Sequence, residues 1–276
     1  MEENERLDSA VAEVETPQTK AEETKSEEVR KPKFVAFSTQ KGGVGKTTLT
    51  VLAASYLHYA KGFNVAVIDC DYPQHSIVNM RQRDMDLVMK DEHYKQMAFR
   101  QFKQLNRKAY PVIACKPEMA IAEADKLLGM SLDYIFFDLP GTINNAAIVR
   151  TLACLEYIFI PICADRLVME SSIKFATVIN ETLISTGKSR IRGLYMLWNF
   201  VDRREVSDLY DIYENVMAKF GLQVMETGLP DSKRFRKELS EEHKPLFRST
   251  LFPSDRSLVK GSSISDMIEE MLSLMH

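Results

Sequence analysis

The chain has 276 residues, 45% of them hydrophobic and 27% charged, and a formal net charge of −3 at pH 7. This length suits one large α/β domain with or without a tail, and the composition is ordinary for a soluble globular protein. No apolar run approaches the roughly 18–20 residues of a membrane span, and the acidic N-terminus lacks the apolar stretch of a signal peptide. The four cysteines form no Cys-x-x-Cys pair. We therefore expect reduced thiols in a cytoplasmic protein.

The first thirty residues differ in charge from the rest. Residues 1–30 contain ten acidic and four basic side chains, a formal charge of −6, so the remainder sums to about +3. Such a segment cannot bury enough apolar surface to order itself. We expect a disordered acidic tail over 1–30 and one domain over 31–276. The tail could screen a polyanion-binding face or contact a partner, although such segments are more often only solvating leaders.

A glycine-rich loop follows the first apolar run. Residues 34–39 predict a buried parallel strand, residues 40–48 form the loop, and a helix begins directly after it. In this context glycines let backbone N–H groups approach phosphate oxygens, a lysine reaches the β- and γ-phosphates, and a threonine hydroxyl ligates Mg²⁺. A tight turn with a surface lysine is the alternative. The predicted phosphate-binding residues are Gly42, Gly43, Val44, Gly45, Lys46, Thr47 and Thr48.

The loop departs from the general pattern G-x-x-x-x-G-K-[ST] at its start. Gln40 stands where the first glycine would be, and Lys41 is a second lysine that the pattern does not require. The run 41–48 (KGGVGKTT) resembles the deviant P-loop of the ParA/MinD group of ATPases. The resemblance implies ATP and Mg²⁺ as cofactors. It also implies that Lys41 reaches across a dimer interface to the partner's nucleotide; a solvated loop lysine is the alternative.

Two aspartates follow a second apolar run, residues 64–68. If that run is a buried strand, they lie at the carboxyl edge of the sheet, where ligands bind in doubly wound folds. The ParA group carries Asp-x-Asp-Pro-Gln at this place. The resemblance implies that Asp69 supports the Mg²⁺ shell and that Asp71 orients the attacking water. Tyr72 is inserted into the pattern, which shifts Gln74 and leaves its role open; the aspartates could instead cap a turn.

A third apolar run, residues 134–137, ends in Asp138. A carboxylate at a strand end that holds a water of the Mg²⁺ shell is the Walker-B arrangement. Asp138 is therefore a predicted metal-site residue together with Thr47 and Asp69, and a simple strand terminus is the alternative. The ParA group carries a similar Asp-x-Pro run, in which Gly141 would let the backbone approach the γ-phosphate.

Residues 80–108 predict a polar, helical insert. Its second half, residues 95–108, holds five cations and no acid, with Phe99 and Phe102 between them. Such a stripe could meet DNA phosphates or an acidic partner. We favour the other interpretation, an amphipathic helix whose phenylalanines face the core.

Two later segments contain predicted contacts to the adenine base of the nucleotide and to DNA. In the ParA group, an asparagine at the end of the strand matching residues 193–199 hydrogen-bonds adenine. The resemblance thus implies that Asn199 contacts the base, and we place Pro230 in the same cofactor site. In chromosome-type ParA proteins, arginines after this strand and after a later Ile-Pro pair bind DNA nonspecifically. The matching positions are Arg203 and Arg234, with solvated helix faces as the alternative.

The last predicted helix, residues 264–275, has an apolar stripe. MinD proteins end in a membrane-binding helix, but interfacial helices favour Lys or Arg on the polar face. This helix offers Asp266, Glu269 and Glu270 and no cation. We expect it to pack on the core, with no membrane contact.

Alternating strands and helices predict a three-layer α/β P-loop NTPase fold with a mostly parallel sheet. The resemblance implies an ATP-dependent homodimer that binds nonspecific DNA or a cargo, with slow, partner-stimulated hydrolysis. The sequence is most similar to ParA-like proteins of conjugative transposons, which implies a role in DNA segregation, positioning or conjugal transfer. Two alternatives stay open: a MinD-like positioning ATPase that acts on a protein complex, and an amidoligase-type enzyme that phosphorylates a small carboxylate.

Overall fold

Seven parallel strands form one central sheet. The computed structural model describes residues 31–142, 145–202 and 208–276, so the expected tail over 1–30 lies outside the described residues. The strand order is β3-β2-β4-β1-β5-β6-β7, and each of these pairings is parallel. The strands are β1 (Lys33–Phe37), β2 (Val65–Asp69), β3 (Val112–Ala114), β4 (Tyr134–Asp138), β5 (Tyr157–Ile162), β6 (Gly193–Trp198) and β7 (Gln223–Val224).

Helices connect the strands and cover both faces of the sheet. Two of them, α1 and α6, continue into π-helical turns over Tyr56–Ala60 and Asn180–Ile184, and short 3₁₀ turns occupy Pro117–Met119 and Lys233–Arg236. The α-helices are α1 (Lys46–Ser55), α2 (Ser76–Lys90), α3 (Glu92–Leu105), α4 (Ala120–Leu127), α5 (Ala146–Cys154), α6 (Arg166–Ile179), α7 (Asp208–Lys219), α8 (Arg256–Val259) and α9 (Ile264–Leu274).

The sheet separates two hydrophobic cores. Because side chains alternate along a strand, Val35 and Phe37 of β1 enter the core shared with α1, α2 and α9. Phe34 and Ala36 enter the opposite core, which is shared with α4, α5 and α6. The three-layer arrangement confirms the predicted α/β fold with a parallel sheet.

Helix α9 packs on the core, as its cation-free polar face predicted. Its apolar stripe is buried in the α1 side of the protein, and the carboxylate of Glu270 accepts hydrogen bonds from the backbone N–H groups of Glu226 and Thr227. Among the residues that the structure describes, no helix combines the length and the apolar character needed to cross a membrane.

The predicted insert is a hairpin of α2 and α3, and one expectation about it was wrong. Phe99 is 68% exposed and does not face the core, whereas Phe102 packs against two core clusters. The difference follows from helical geometry, because residues three apart on α3 are displaced by about 60° around the axis. Tyr94 and Ala98 instead anchor α3 to the segment around Leu251.

The fold brings the predicted phosphate and metal residues to one edge of the sheet. Strand β1, which leads into the glycine-rich loop, pairs with β4, and β4 pairs with β2. Asp69 and Asp138, the last residues of β2 and β4, are register partners. Adjacent carboxyl ends therefore surround the N-terminus of α1, where ligands bind in this fold class.

Candidate nucleotide-binding site

The glycine-rich loop takes a conformation that depends on glycine. Gly43 and Gly45 have φ values of +80° and +94°, in the left-handed region that side chains avoid. Gly45 is the N-cap of α1, so the loop directs the first N–H groups of that helix into the cavity above it. A Cβ at position 45 would lie only 2.7 Å from Asn199 Nδ2. The loop has the form of a phosphate cradle.

Lys46 lies at the centre of the cradle, and its Nζ donates to the carbonyl oxygen of Lys41 at 3.0 Å. Burial lowers the pKa of its ammonium group, and the nearby carboxylates of Asp138 and Asp71 partly oppose this effect. Burial has removed part of the water that would otherwise stabilise the positive charge of Lys46. A bound phosphate would replace that water with a negatively charged partner, so the site favours an anion.

Thr47 and Asp138 form the part of the site that fits Mg²⁺. Thr47 Oγ1 donates to Asp138 Oδ2 at 2.8 Å. Asp138 is 1% exposed, and its Oδ1 atom has no hydrogen-bond partner among the described residues. Burial raises the pKa of this carboxyl to about 7. An unsatisfied buried oxygen beside a threonine hydroxyl suits the water shell of a magnesium ion, which binds through few protein ligands plus phosphates and waters.

The two aspartates after β2 have different environments. The fully buried carboxylate of Asp69 accepts from the backbone N–H groups of Asp71 at 3.2 Å, Ile77 at 2.9 Å and Val78 at 3.1 Å. It therefore fixes the start of α2, which is the capping role that the sequence left open. Its predicted support of the Mg²⁺ shell stays a prediction.

Asp71 lines the cavity that contains the glycine-rich loop. Burial raises the pKa of its carboxyl, with a further increase from Asp69. The inserted Tyr72 turns outward, 53% exposed with Lys116 Nζ over its ring, and Gln74 still lines the cavity. The insertion therefore leaves both polar side chains available to a ligand.

The other wall of the cavity follows β6. Asn199 is 5% exposed, its Nδ2 donates to Val44 O at 2.9 Å, and its Oδ1 accepts from Phe200 N at 3.0 Å. The amide thus ties the end of β6 to the glycine-rich loop. The whole cavity measures about 670 Å³, and Phe200, Asp231, Ser232 and Phe235 line this side.

Pro230 forms a parallel bridge with Val201, and its neighbours Asp231 and Ser232, not Pro230 itself, line the cavity. The base contacts predicted for Asn199 and Pro230 stay predictions.

Comparison with known proteins agrees with this geometry. The family described as CobQ/CobB/MinD/ParA nucleotide binding domain matches residues 35–246. The chain belongs to this family. An uncharacterized protein of Borreliella burgdorferi, BBD21, is 25% identical over 257 residues, which cover 86% of this chain and 99% of that protein.

Solved structures agree with the fold. A plasmid partition protein from Borrelia burgdorferi has a TM-score of 0.54 at 16% identity, covering 88% of this chain and 99% of its own. The MinD cell division protein of Aquifex aeolicus has a TM-score of 0.55 at 14% identity, covering 88% of this chain and 96% of its own. These similarities show a common fold.

Two residues predicted from the ParA/MinD resemblance are not part of the cavity wall that the structure describes. Lys41 is exposed and does not line the cavity. Arg203, a predicted DNA contact, lies outside the described residues.

Arg234, the other predicted DNA contact, has its guanidinium bonded within the protein. Arg234 NH1 donates to the carbonyl oxygens of Leu258 and Lys260, each at 2.8 Å, and Nε donates to Ser232 Oγ at 3.1 Å. These bonds join the 3₁₀ turn to α8. The other cations of the same segment, Lys233, Arg236 and Lys237, are exposed, and the DNA contact predicted for Arg234 stays a prediction.

Sequence reasoning missed Arg248, which lines the nucleotide cavity of this ParA/MinD-family domain. Arg248 NH1 donates to the Thr48 hydroxyl of the glycine-rich loop, although the two residues are 200 positions apart. Glu238 accepts from the same guanidinium. No local pattern marks Arg248, because it lies in a loop beyond all the motifs and reaches the site only through the fold.

Proposed function

We propose that this protein is a cytoplasmic ParA-type positioning ATPase, which forms a homodimer when it binds ATP and Mg²⁺. The exposure of Lys41 carries the proposal. This lysine begins a loop whose other elements form a complete phosphate cradle, yet its side chain does not line the cavity of its own protomer. A second protomer facing the cavity would place its own Lys41 against the nucleotide from outside.

The residues of the cradle have separate tasks in this proposal. The N–H groups at the start of α1 and the Lys46 ammonium bind the phosphate chain. Thr47 and Asp138 hold Mg²⁺, which when bound neutralises charge on the phosphate oxygens. Asp71, a half-buried carboxylate in the cavity wall, positions the attacking water. Because phosphoryl transfer depends mainly on position and charge neutralisation, few other groups are needed.

The dimer would bind nonspecific DNA or a cargo protein, and hydrolysis, stimulated by a partner protein, would return it to the monomer. The positive charge of the body, about +3 over residues 31–276, supports a polyanion as partner. The exposed cations beside the cavity, Lys233, Arg236 and Lys237, supply phosphate contacts. Segregation, positioning or conjugal transfer of DNA is the role we propose for this cycle.

Sedimentation of the Asp71→Ala protein tests the proposal, because loss of Asp71 should trap the ATP state. We expect a dimer with ATP, and a monomer with ADP or without nucleotide. Adding Lys41→Ala should abolish the dimer while ATP still binds. The matched control is Lys188→Ala, which removes an exposed lysine from the loop after α6 and should leave the dimer intact.

DNA binding measured in the same samples separates the possible cargoes. Sequence-independent binding that requires ATP and weakens steeply with salt supports the DNA cycle. A dimer that ignores DNA would direct the proposal to a protein cargo. A protein that binds ATP and stays monomeric at all concentrations contradicts the proposal. That result would favour a small-molecule enzyme, because the family description also includes CobQ and CobB.

A further inference from the structure

Arg248 connects the nucleotide cavity with a carboxylate outside it. Its NH1 group donates to Thr48 Oγ1 in the first turn of α1, and its Nε and NH2 groups donate to Glu238 Oε1. The side chain of Arg248 is 20% exposed and forms part of the cavity wall. The guanidinium is therefore held within reach of any ligand that the glycine-rich loop binds.

Glu238 is shared between two arginines. Arg83 of α2 also pairs with this glutamate, at 3.4 Å to Oε2, so two guanidinium groups share one carboxylate. Among the described residues, no other carboxylate forms an ion pair with either arginine. Arg83 is 64% exposed and its charge is solvated by water, whereas Arg248 is largely withdrawn from solvent. Arg248 therefore shares its one carboxylate partner with Arg83 and faces the cavity, where an anion would give it a second charged acceptor.

The partner that Arg248 now has in the loop is a weak one. A neutral hydroxyl accepts a hydrogen bond from a guanidinium less strongly than a phosphate oxygen does, and guanidinium matches phosphate geometry well. Lys46 Nζ lies between Lys41 O and Gly141, and in a P-loop the lysine at this position contacts the β- and γ-phosphates. Arg248 contacts the loop at Thr48 and not at Lys46. The phosphate expected nearest to Arg248 is therefore the α-phosphate.

We propose that Arg248 is a nucleotide-contact residue that binds the α-phosphate of the bound nucleotide. This inference rests on the proposed function only in assuming that a nucleotide occupies the cavity. On binding, an α-phosphate oxygen takes the place of the Thr48 hydroxyl as acceptor, and Glu238 keeps the guanidinium oriented. ADP and ATP gain equally from the contact, because both carry the α-phosphate.

A ligand series tests this contact. Adenosine, AMP, ADP and ATP each compete against a fluorescent ADP analogue on the wild type, Arg248→Ala and Arg248→Lys. We expect Arg248→Ala to weaken AMP, ADP and ATP about tenfold or more, as for the loss of a charge-assisted hydrogen bond, and to leave adenosine unchanged. Arg248→Lys should give an intermediate loss. Arg83→Ala is the matched control, since it removes an arginine from the same glutamate outside the cavity wall, and it should leave all four affinities unchanged.

A merely structural role gives a different result. If Arg248 only fixes its loop to α1, adenosine weakens together with the nucleotides, or no ligand is affected, and either outcome overturns the inference. If the wild type binds no nucleotide, the proposed function fails as well; normal wild-type binding with an unaffected Arg248→Ala protein overturns this inference alone.

If Arg248→Ala does not fold, the variant Glu238→Gln provides a second test of the contact. The glutamine keeps an oxygen that can accept from the guanidinium and orient it, and it removes the negative charge that competes with the phosphate, so AMP binding should become several-fold tighter. Unchanged or weaker AMP binding by folded Glu238→Gln protein contradicts the contact.

Discussion

A Cβ atom at Gly141 would lie 2.9 Å from the Nζ atom of Lys46. It would also lie 3.0 Å from Gln40 O and 3.3 Å from Thr39 O. The lysine could swing away, but the two carbonyl oxygens belong to the backbone that leads into the glycine-rich loop. Position 141 therefore admits only glycine without a shift of the lysine or of the loop.

The substitution Gly141→Ala should accordingly weaken ATP binding by about tenfold, a loss of roughly 1.4 kcal/mol, with little loss of thermal stability. The added methyl group displaces Nζ from Lys41 O and so removes the lysine from the cradle, whereas the backbone at Thr39 and Gln40 has to move by only a few tenths of an ångström. Titration with a fluorescent ATP analogue measures the effect. Gly129→Ala is the control, because a Cβ there meets nothing within 4 Å and its backbone is compatible with alanine. Equal affinities of the two variants would contradict the steric argument.

Asp138→Asn should separate metal binding from stability. The unpaired carboxylate oxygen is buried, so in the absence of metal it costs the fold free energy at pH 8, where the carboxyl, with a pKa of about 7, is ionised. In EDTA we expect the asparagine variant to be more stable than the wild type by about 1–2 kcal/mol in unfolding free energy, and its melting temperature should be higher accordingly. With ADP and Mg²⁺ the order should reverse, since the variant lacks the charge that favours the ion. A variant that is less stable than the wild type in EDTA at pH 8 would refute this account.

The sequence was sufficient for the fold and for the residues of the glycine-rich loop because both depend on local chemistry. Apolar runs of strand length alternate with helical patterns, and parallel strands place their carboxyl ends at one edge. Thr47, in the first turn of α1 after β1, therefore meets Asp138 at the end of the neighbouring strand β4, at 2.8 Å. Local patterns also predicted that α9 would be buried, since its polar face carries only acids.

Other parts of the site could not be predicted because they depend on where loops return in space. Arg248 meets Thr48 through a segment without periodicity or motif, and only the packed structure brings them together. The sequence left open whether Asp69 caps a turn, and its three bonds to backbone N–H groups could not be predicted because they depend on the shape of the following loop. Phe99 was misplaced because the prediction treated the two phenylalanines alike, whereas Phe99 lies on the side of α3 that carries the exposed cations.

The two phenylalanines of α3 should differ in their contribution to stability. Phe99 is 68% exposed, so Phe99→Ala should change the unfolding free energy by less than about 0.5 kcal/mol. Phe102 packs against Tyr59 and two core clusters, so Phe102→Ala should cost about 2 kcal/mol. Urea unfolding of both variants checks the comparison, in which Phe99→Ala is the matched control. A large loss for Phe99→Ala would mean that this side chain is covered in solution.

Asp84 should make stability depend on pH. This buried carboxylate of α2 accepts from Ser249 Oγ and from the N–H and hydroxyl groups of Thr250, but burial outweighs these bonds and raises its pKa above the ordinary value. The folded protein therefore holds this proton to a higher pH than the unfolded chain. As pH rises from about 4, where the unfolded carboxyl ionises, through the folded pKa, this group's contribution to stability is lost.

Urea unfolding of the wild type and Asp84→Asn between pH 4 and pH 8 measures this dependence. The stability of the wild type relative to the variant should fall as pH rises and then level off, because asparagine does not titrate. A difference that stays constant over the range, or that grows in favour of the wild type, would contradict the raised pKa.

Asn199 should be needed for the shape of the glycine-rich loop even without a nucleotide. Its Nδ2 donates to Val44 O at 2.9 Å from a buried position, and loss of that donor leaves a buried carbonyl unsatisfied. Asn199→Ala should therefore cost about 1–3 kcal/mol in unfolding free energy. Asn199→Asp should cost more, because a carboxylate oxygen would face the Val44 carbonyl and two acceptors repel each other. Thermal melts of both variants without nucleotide test the order, and an aspartate variant as stable as the wild type would show that the amide does not hold the loop.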